Sequence, residues 1–188
     1  QVISIVILVI MVLGFTLAGV VMRGPAQGDT DNEGQADRQT ITYNGYEFKR
    51  SGQKYAGEVD GQTRRFYYPP TRTVAVRNTG NYTELVRSGA TITFDPARSD
   101  VKFVDVARYE LTQHIDGLTS AVTQSSPEYN LPTRTCADAT SSRPVIFLNA
   151  SNMTGVTRHE NCVVINGKKR EMIRATERVI YEKLGVIG

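Results

Sequence analysis

The chain has 188 residues, 22 Lys and Arg against 19 Asp and Glu, a formal net charge of +3 and 40 % hydrophobic residues. Those values exclude a collagen, a disordered tail and a polytopic membrane protein, and +3 is too small to imply nucleic acid or an acidic membrane surface as partner. The average conceals a division: no residue from Gln1 to Met22 is charged and 17 of those 22 are hydrophobic, whereas every charged residue belongs to the remaining 166.

The run QVISIVILVIMVLGFTLAGVVM predicts a helix of about 33 Å at ~1.5 Å per residue, enough to span a bilayer. An uncleaved signal peptide would open with Met and a basic segment, and neither precedes Arg23. Two readings remain. One is a transmembrane anchor with Arg23 at its exit; the other is a retained apolar segment from which a leader has been removed ahead of Gln1.

The second pattern resembles the mature N-terminus of type IV pilin-like proteins, particularly the archaeal ones. Bacterial members usually carry a glutamate at the fifth mature position; this chain has Ile5, and its polar Gln1 followed by Val2, Ile3 and Ile5 is similar to the archaeal style. The resemblance covers residues 1–22 and the layout of an apolar rod joined to a polar head. It implies a homopolymer built through the N-terminal helices, with Val2, Ile5, Leu8, Val12, Phe15 and Gly19 as assembly positions. It also implies storage in the cytoplasmic membrane before assembly, an assembly ATPase and platform protein as partners, and a final location in an extracellular filament or on the cell surface. Gly14, Ala18 and Gly19 would permit close helix approach, although small residues are common in any span.

Residues 23–38, RGPAQGDTDNEGQADR, read as a polar linker, with Pro25 discouraging continuation of the rod. From residue 39 a separate α+β head domain is expected, with an antiparallel sheet and at least two helices. ITYNGYEFKR, QKYAGEVDG and QTRRFYYPP alternate apolar and polar residues around Asn44-Gly45 and Asp60-Gly61. Both dipeptides are hairpin turn signals, so these segments predict an antiparallel meander ended by Pro69-Pro70. TVAVRN predicts a further strand, Thr83 to Val86 a helical turn, and ATITF a strand broken by Asp95-Pro96.

A helix is expected from about Ser99 to Ile115, with Ser99 or Asp100 as cap and Val101, Val104, Leu111 and Ile115 on a stripe bridged by the stem of Arg108. A strand near Leu118–Thr123, a proline-containing loop and the strands PVIFLN and NCVVIN follow. A last helix spans roughly Lys168 to Leu184, its buried face being Met172, Ile173, Thr176, Val179, Ile180 and Leu184.

Cys136 and Cys162 are the two cysteines. Paired, they close a loop worth about 3.5 kcal/mol in the chain-entropy account, and a head outside the cell permits oxidation; the alternative is two buried thiols. Three glycosylation sequons begin at Asn81, Asn149 and Asn152.

No cofactor, metal or catalytic constellation is expected. Cys136 with His114 or His159 lacks a local signature, and a disulfide would consume the thiol. The carboxylates lack metal-loop spacing. His114 is better explained as a cation near a helix C-terminus. RRFYYPP interleaves cations and rings that would stack on sugars or bases, so Arg64, Arg65, Tyr67 and Tyr68 are the candidate residues for a glycan or surface ligand, against an ordinary strand with an exposed arginine. KKRE at 168–171 reads as a solvated helix start. The function expected is a filament subunit with an adhesive head; the alternative is a single-pass anchored protein whose head binds sugars or surfaces. Neither is an enzyme.

Overall fold

A computed structural model describes residues 39–188; the helix expected over 1–22 with its expected assembly positions, and the linker expected over 23–38, lie outside the described residues. The head is α+β. Strands β1 (Thr40–Tyr43), β2 (Tyr46–Ser51), β3 (Lys54–Val59) and β4 (Gln62–Phe66) form the expected antiparallel meander. Its first and third turns sit on Asn44-Gly45 (φ +46° and +82°) and Asp60-Gly61 (φ +54° and +69°). Positive φ at both central residues suits the twist of a two-residue hairpin.

Helix α1 (Pro70–Thr73) follows, then β5 (Arg77–Thr79), β6 (Thr91–Phe94), α2 (Val101–His114), β7 (Thr119–Val122), a 3₁₀ turn (Cys136–Asp138), β8 (Val145–Ala150), β9 (Gly155–His159), β10 (Cys162–Gly167) and α3 (Arg170–Lys183). The second sheet has the order β5-β9-β10-β8-β6-β7. It is mixed rather than antiparallel: β7, β6, β8 and β10 are mutually parallel, while β9 runs against β10. The expectation of an antiparallel sheet therefore holds for the meander alone. Parallel neighbours need a crossover, and α2 supplies the one between β6 and β7.

TVAVRN was expected to be one strand and is not. Pro69-Pro70 starts α1 with proline at its first turn, where the missing N–H is harmless, and only Arg77–Thr79 pairs, with β9. Helix α2 matches the expected span to within two residues. Asp100 occupies the N-cap position but makes no side-chain cap bond.

Helix α3 is buried over more of its circumference than one amphipathic face provides. Besides the expected Met172, Ile173, Thr176, Val179 and Ile180, it buries Ala175, Glu177, Arg178 and Tyr181, while Leu184 is only partly buried. The cause is its place between two sheets: it packs on β10, and Phe48 and Phe66 of the meander close over Tyr181 at ring distances of 5.6 and 4.3 Å. One continuous core results, from Phe48, Val59 and Phe66 in the meander to Ile92, Ile146 and Val163 in the mixed sheet.

Candidate functional site

Strand β4 leaves its ladder at Phe66 because the next two amides have another acceptor. Tyr67 N–H donates to Glu177 Oε1 at 2.5 Å and Tyr68 N–H to Oε2 at 2.8 Å. The Tyr181 hydroxyl donates to the Tyr68 carbonyl at 2.9 Å, and Pro69 and Pro70 have no N–H to place. The Tyr67-Tyr68 segment is thereby fastened to α3 by its backbone, which leaves both rings for other work.

Those rings line a cleft of about 520 Å³ between the meander and the helices. Arg50 and Tyr55, cross-strand partners in the β2–β3 hairpin, form one wall. Arg72 of α1, Arg170 at the start of α3 and Phe103 of α2 form others. The lining contains three arginines, three tyrosines and no carboxylate. Among the described residues none of Arg50, Arg72 and Arg170 has a carboxylate within ion-pair distance. Lys54 Nζ lies 4.1 Å from the Tyr67 ring centre, and the Arg72 guanidinium 5.6 Å from that of Tyr68, within the range of cation–π attraction.

Beneath the cleft lies a charged layer. Glu177 is fully buried; burial raises its pKa well above the ordinary glutamate value, a tendency that the two backbone N–H donors oppose without reversing. Glu110, 1 % exposed, accepts a hydrogen bond from Lys54 Nζ at 2.8 Å and has His114 Nε2 at 3.7 Å. Burial pushes the Glu110 pKa up, but His114 and Lys54 more than offset it and the net direction is down. Burial lowers the Lys54 pKa and its bond to Glu110 raises it, with the net upward. Burial, with Glu171 and Glu177 nearby, raises the Tyr68 phenol, so it remains a neutral donor for a ligand.

The structure divides the RRFYYPP motif. Tyr67 and Tyr68 enter the cleft, but Arg64 and Arg65 lie along a separate hollow of about 290 Å³ beside Glu110 and His114. Arg64 Nη1 donates to the His114 carbonyl at 3.3 Å, so this arginine helps close the end of α2. Arg50, Tyr55, Arg72 and Arg170 were not singled out from the sequence. The hairpin alignment that sets Arg50 opposite Tyr55 was the available signal for two of them, and the cationic KKR run was the signal for Arg170.

Cys136 and Cys162 form a disulfide with a Cα separation of 5.4 Å, tying the 3₁₀ turn to the start of β10. Asn81 is exposed, and its Oδ1 accepts bonds from the Thr83 amide and hydroxyl. Asn152 is exposed and accepts from Lys168 Nζ at 3.1 Å. Asn149 sits half-buried within β8, where its Nδ2, the atom a glycan would take, donates to Asn166 Oδ1 at 2.7 Å. Among the described residues no three His, Cys, Asp or Glu side chains converge as a metal site, and no helix is long and apolar enough to cross a membrane. No known protein family, curated protein or solved structure matches the chain.

Proposed function

We propose that the protein is a structural subunit of an extracellular type IV pilus-like filament, assembling through residues 1–22 and displaying residues 39–188 as a head for adhesion. The single observation that carries this reading is the pairing of a 22-residue uncharged run with a domain that closes its own core. Such a run needs an apolar surrounding. Before assembly a bilayer supplies it; in a filament the rods of neighbouring subunits do. The disulfide between Cys136 and Cys162 suits an oxidising location for the head. Assembly would draw on an ATPase and a membrane platform provided by other proteins.

The cation-lined cleft also suits a second reading, a single-pass anchored protein whose head binds a ligand without polymerising. Negative-stain microscopy of material sheared from cells separates the two. Helical filaments labelled by an antibody to the head are expected; head antigen found solely in detergent-extracted particles overturns the filament and leaves the anchored head.

A further inference from the structure

Phe103 is not confined to the aromatic cleft. The same ring lines a second cleft, of about 500 Å³, together with Arg98, Lys102, Lys168 and Lys169. The two also meet in sequence, since Lys169 of the second adjoins Arg170 of the first. The topology explains why cations gather there. From β6 the chain moves through α2 to β7 on one side, whereas β8 and β10 lie on the other. The parallel strands thus change winding direction between β6 and β8, and open parallel sheets bind ligands beyond the carboxyl ends at such a point. Arg98 follows β6, Asn152 follows β8, and Lys168 and Lys169 follow β10, so three connections deliver polar side chains to one edge.

Arg98 Nη2 donates to the Ala150 carbonyl at 2.7 Å, which fixes one cation across the mouth between β6 and β8. The only acidic side chain lining either cleft is Asp100, with Arg98 Nε 4.0 Å away. Seven cations therefore face two joined clefts with one opposing charge. Residues 1–38 hold two cations (Arg23 and Arg38) and four carboxylates (Asp29, Asp31, Glu33 and Asp37), so residues 39–188 carry a net +5. The excess is modest, and the two joined clefts hold more than that in local positive charge.

We propose that the joined clefts are the binding trough for an extended acidic polysaccharide, with sugar carboxylates on the arginine forks and lysines and sugar hydroxyls at the Tyr68 phenol. Planar guanidinium groups match carboxylates in bidentate geometry. A base-stacking role for the rings is disfavoured because a cation already lies over each: Lys54 on Tyr67, Arg72 on Tyr68 and Lys102 on Phe103. The proposal deepens the adhesive-head reading and rests on it, by giving adhesion a ligand class.

The test measures binding of polygalacturonate and its defined oligomers to the full chain in detergent, at fixed salt. Neutral dextran and single-stranded poly-deoxythymidine serve as comparison ligands. The polymer is expected to bind, dextran not to bind, and a hexamer to bind at least about tenfold more tightly than a dimer because only the longer chain reaches both clefts. Arg72→Ser and Arg170→Ser are expected to weaken dimer and hexamer about tenfold each. Lys102→Ser and Lys168→Ser are expected to weaken the hexamer and spare the dimer. Lys49→Ser, which removes an exposed cation from β2 outside either cleft, is expected to change neither. Equal affinity for dextran, equal loss in Lys49→Ser, no gain with oligomer length, or tighter binding of the deoxythymidine strand at the same salt overturns the proposal. Filament formation is scored separately on material sheared from cells, so a trough that fails with filaments intact sinks the ligand class alone, and binding without filaments on the cells sinks the subunit reading alone.

Discussion

At the scale of single residues, Glu177 is the most informative side chain in the head. It sits mid-helix at a position that the amphipathic pattern of α3 does not mark as apolar, yet it is fully buried. Its partners are two consecutive backbone N–H groups that would otherwise be stranded where β4 ends, and a stranded buried donor costs about 1–3 kcal/mol. Folding raises the pKa of this carboxyl. Its favourable contribution is therefore complete below the ordinary glutamate range and is lost as pH climbs through the folded value. Glu177→Gln, which does not titrate, should be less stable than the parent, with the gap widest near pH 4 and narrowing as pH rises. Urea unfolding at a series of pH values measures this; a gap that widens with pH would mean that the ionised form is the one the fold prefers. Tyr67 and Tyr68 could be picked out in the sequence because two arginines and three rings stand side by side there. Glu177 could not, since nothing within its own helix reveals the two amides, 110 and 109 residues away, that it serves.

Among the elements, those set by neighbouring residues match expectation and those set by distant ones do not. Asn44-Gly45 and Asp60-Gly61 adopt the positive φ values that their composition announces, and the meander follows. Strand β9 escaped notice because GVTRH is short and half-exposed; it is made a strand by pairing with β10 on one side and β5 on the other. The parallel arrangement of β6, β8 and β10 was also hidden, since an apolar run reads alike in either direction. The join between β10 and α3 shows how tightly elements meet. A Cβ on Gly167 would lie 2.5 Å from the Met172 backbone nitrogen, and backbone cannot swing aside as a side chain end does. Gly167→Ala is expected to destabilise the head by about 2–3 kcal/mol through forced separation of strand and helix, read as a lowered urea midpoint. An unchanged midpoint would show that this turn can widen freely. The same variant should loosen the edge that carries Lys168 and Lys169.

Across the whole molecule, the disulfide joins the long loop after β7 to the central region of the mixed sheet. Cys162 is buried at the start of β10, while Cys136 lies in a 3₁₀ turn on the loop. Closing this loop restricts the unfolded chain, and the double variant Cys136→Ala with Cys162→Ala is expected to lose up to about 3.5 kcal/mol. The check is thermal unfolding with and without reductant. Reductant should lower the midpoint of the parent and leave the double variant unmoved; equal midpoints for parent and variant without reductant would show that the bridge adds no stability.

The division between an uncharged run and a polar domain, the hairpin turns, the two long helices and the availability of one cysteine pair were determined by the sequence alone. Each depends on composition or on residues within a few positions, and local φ preferences and apolar periodicity are properties of contiguous chain. The joined clefts are a different matter. Arg50, Tyr68, Arg98, Phe103 and Lys168 span more than a hundred positions, and none has a neighbour in sequence that announces the others. Only packing α2 and α3 between two sheets brings them to one surface, and only the reversal of winding between β6 and β8 gathers three loops at one edge. Tertiary structure decided the site because shared burial, not sequence proximity, sets which side chains meet.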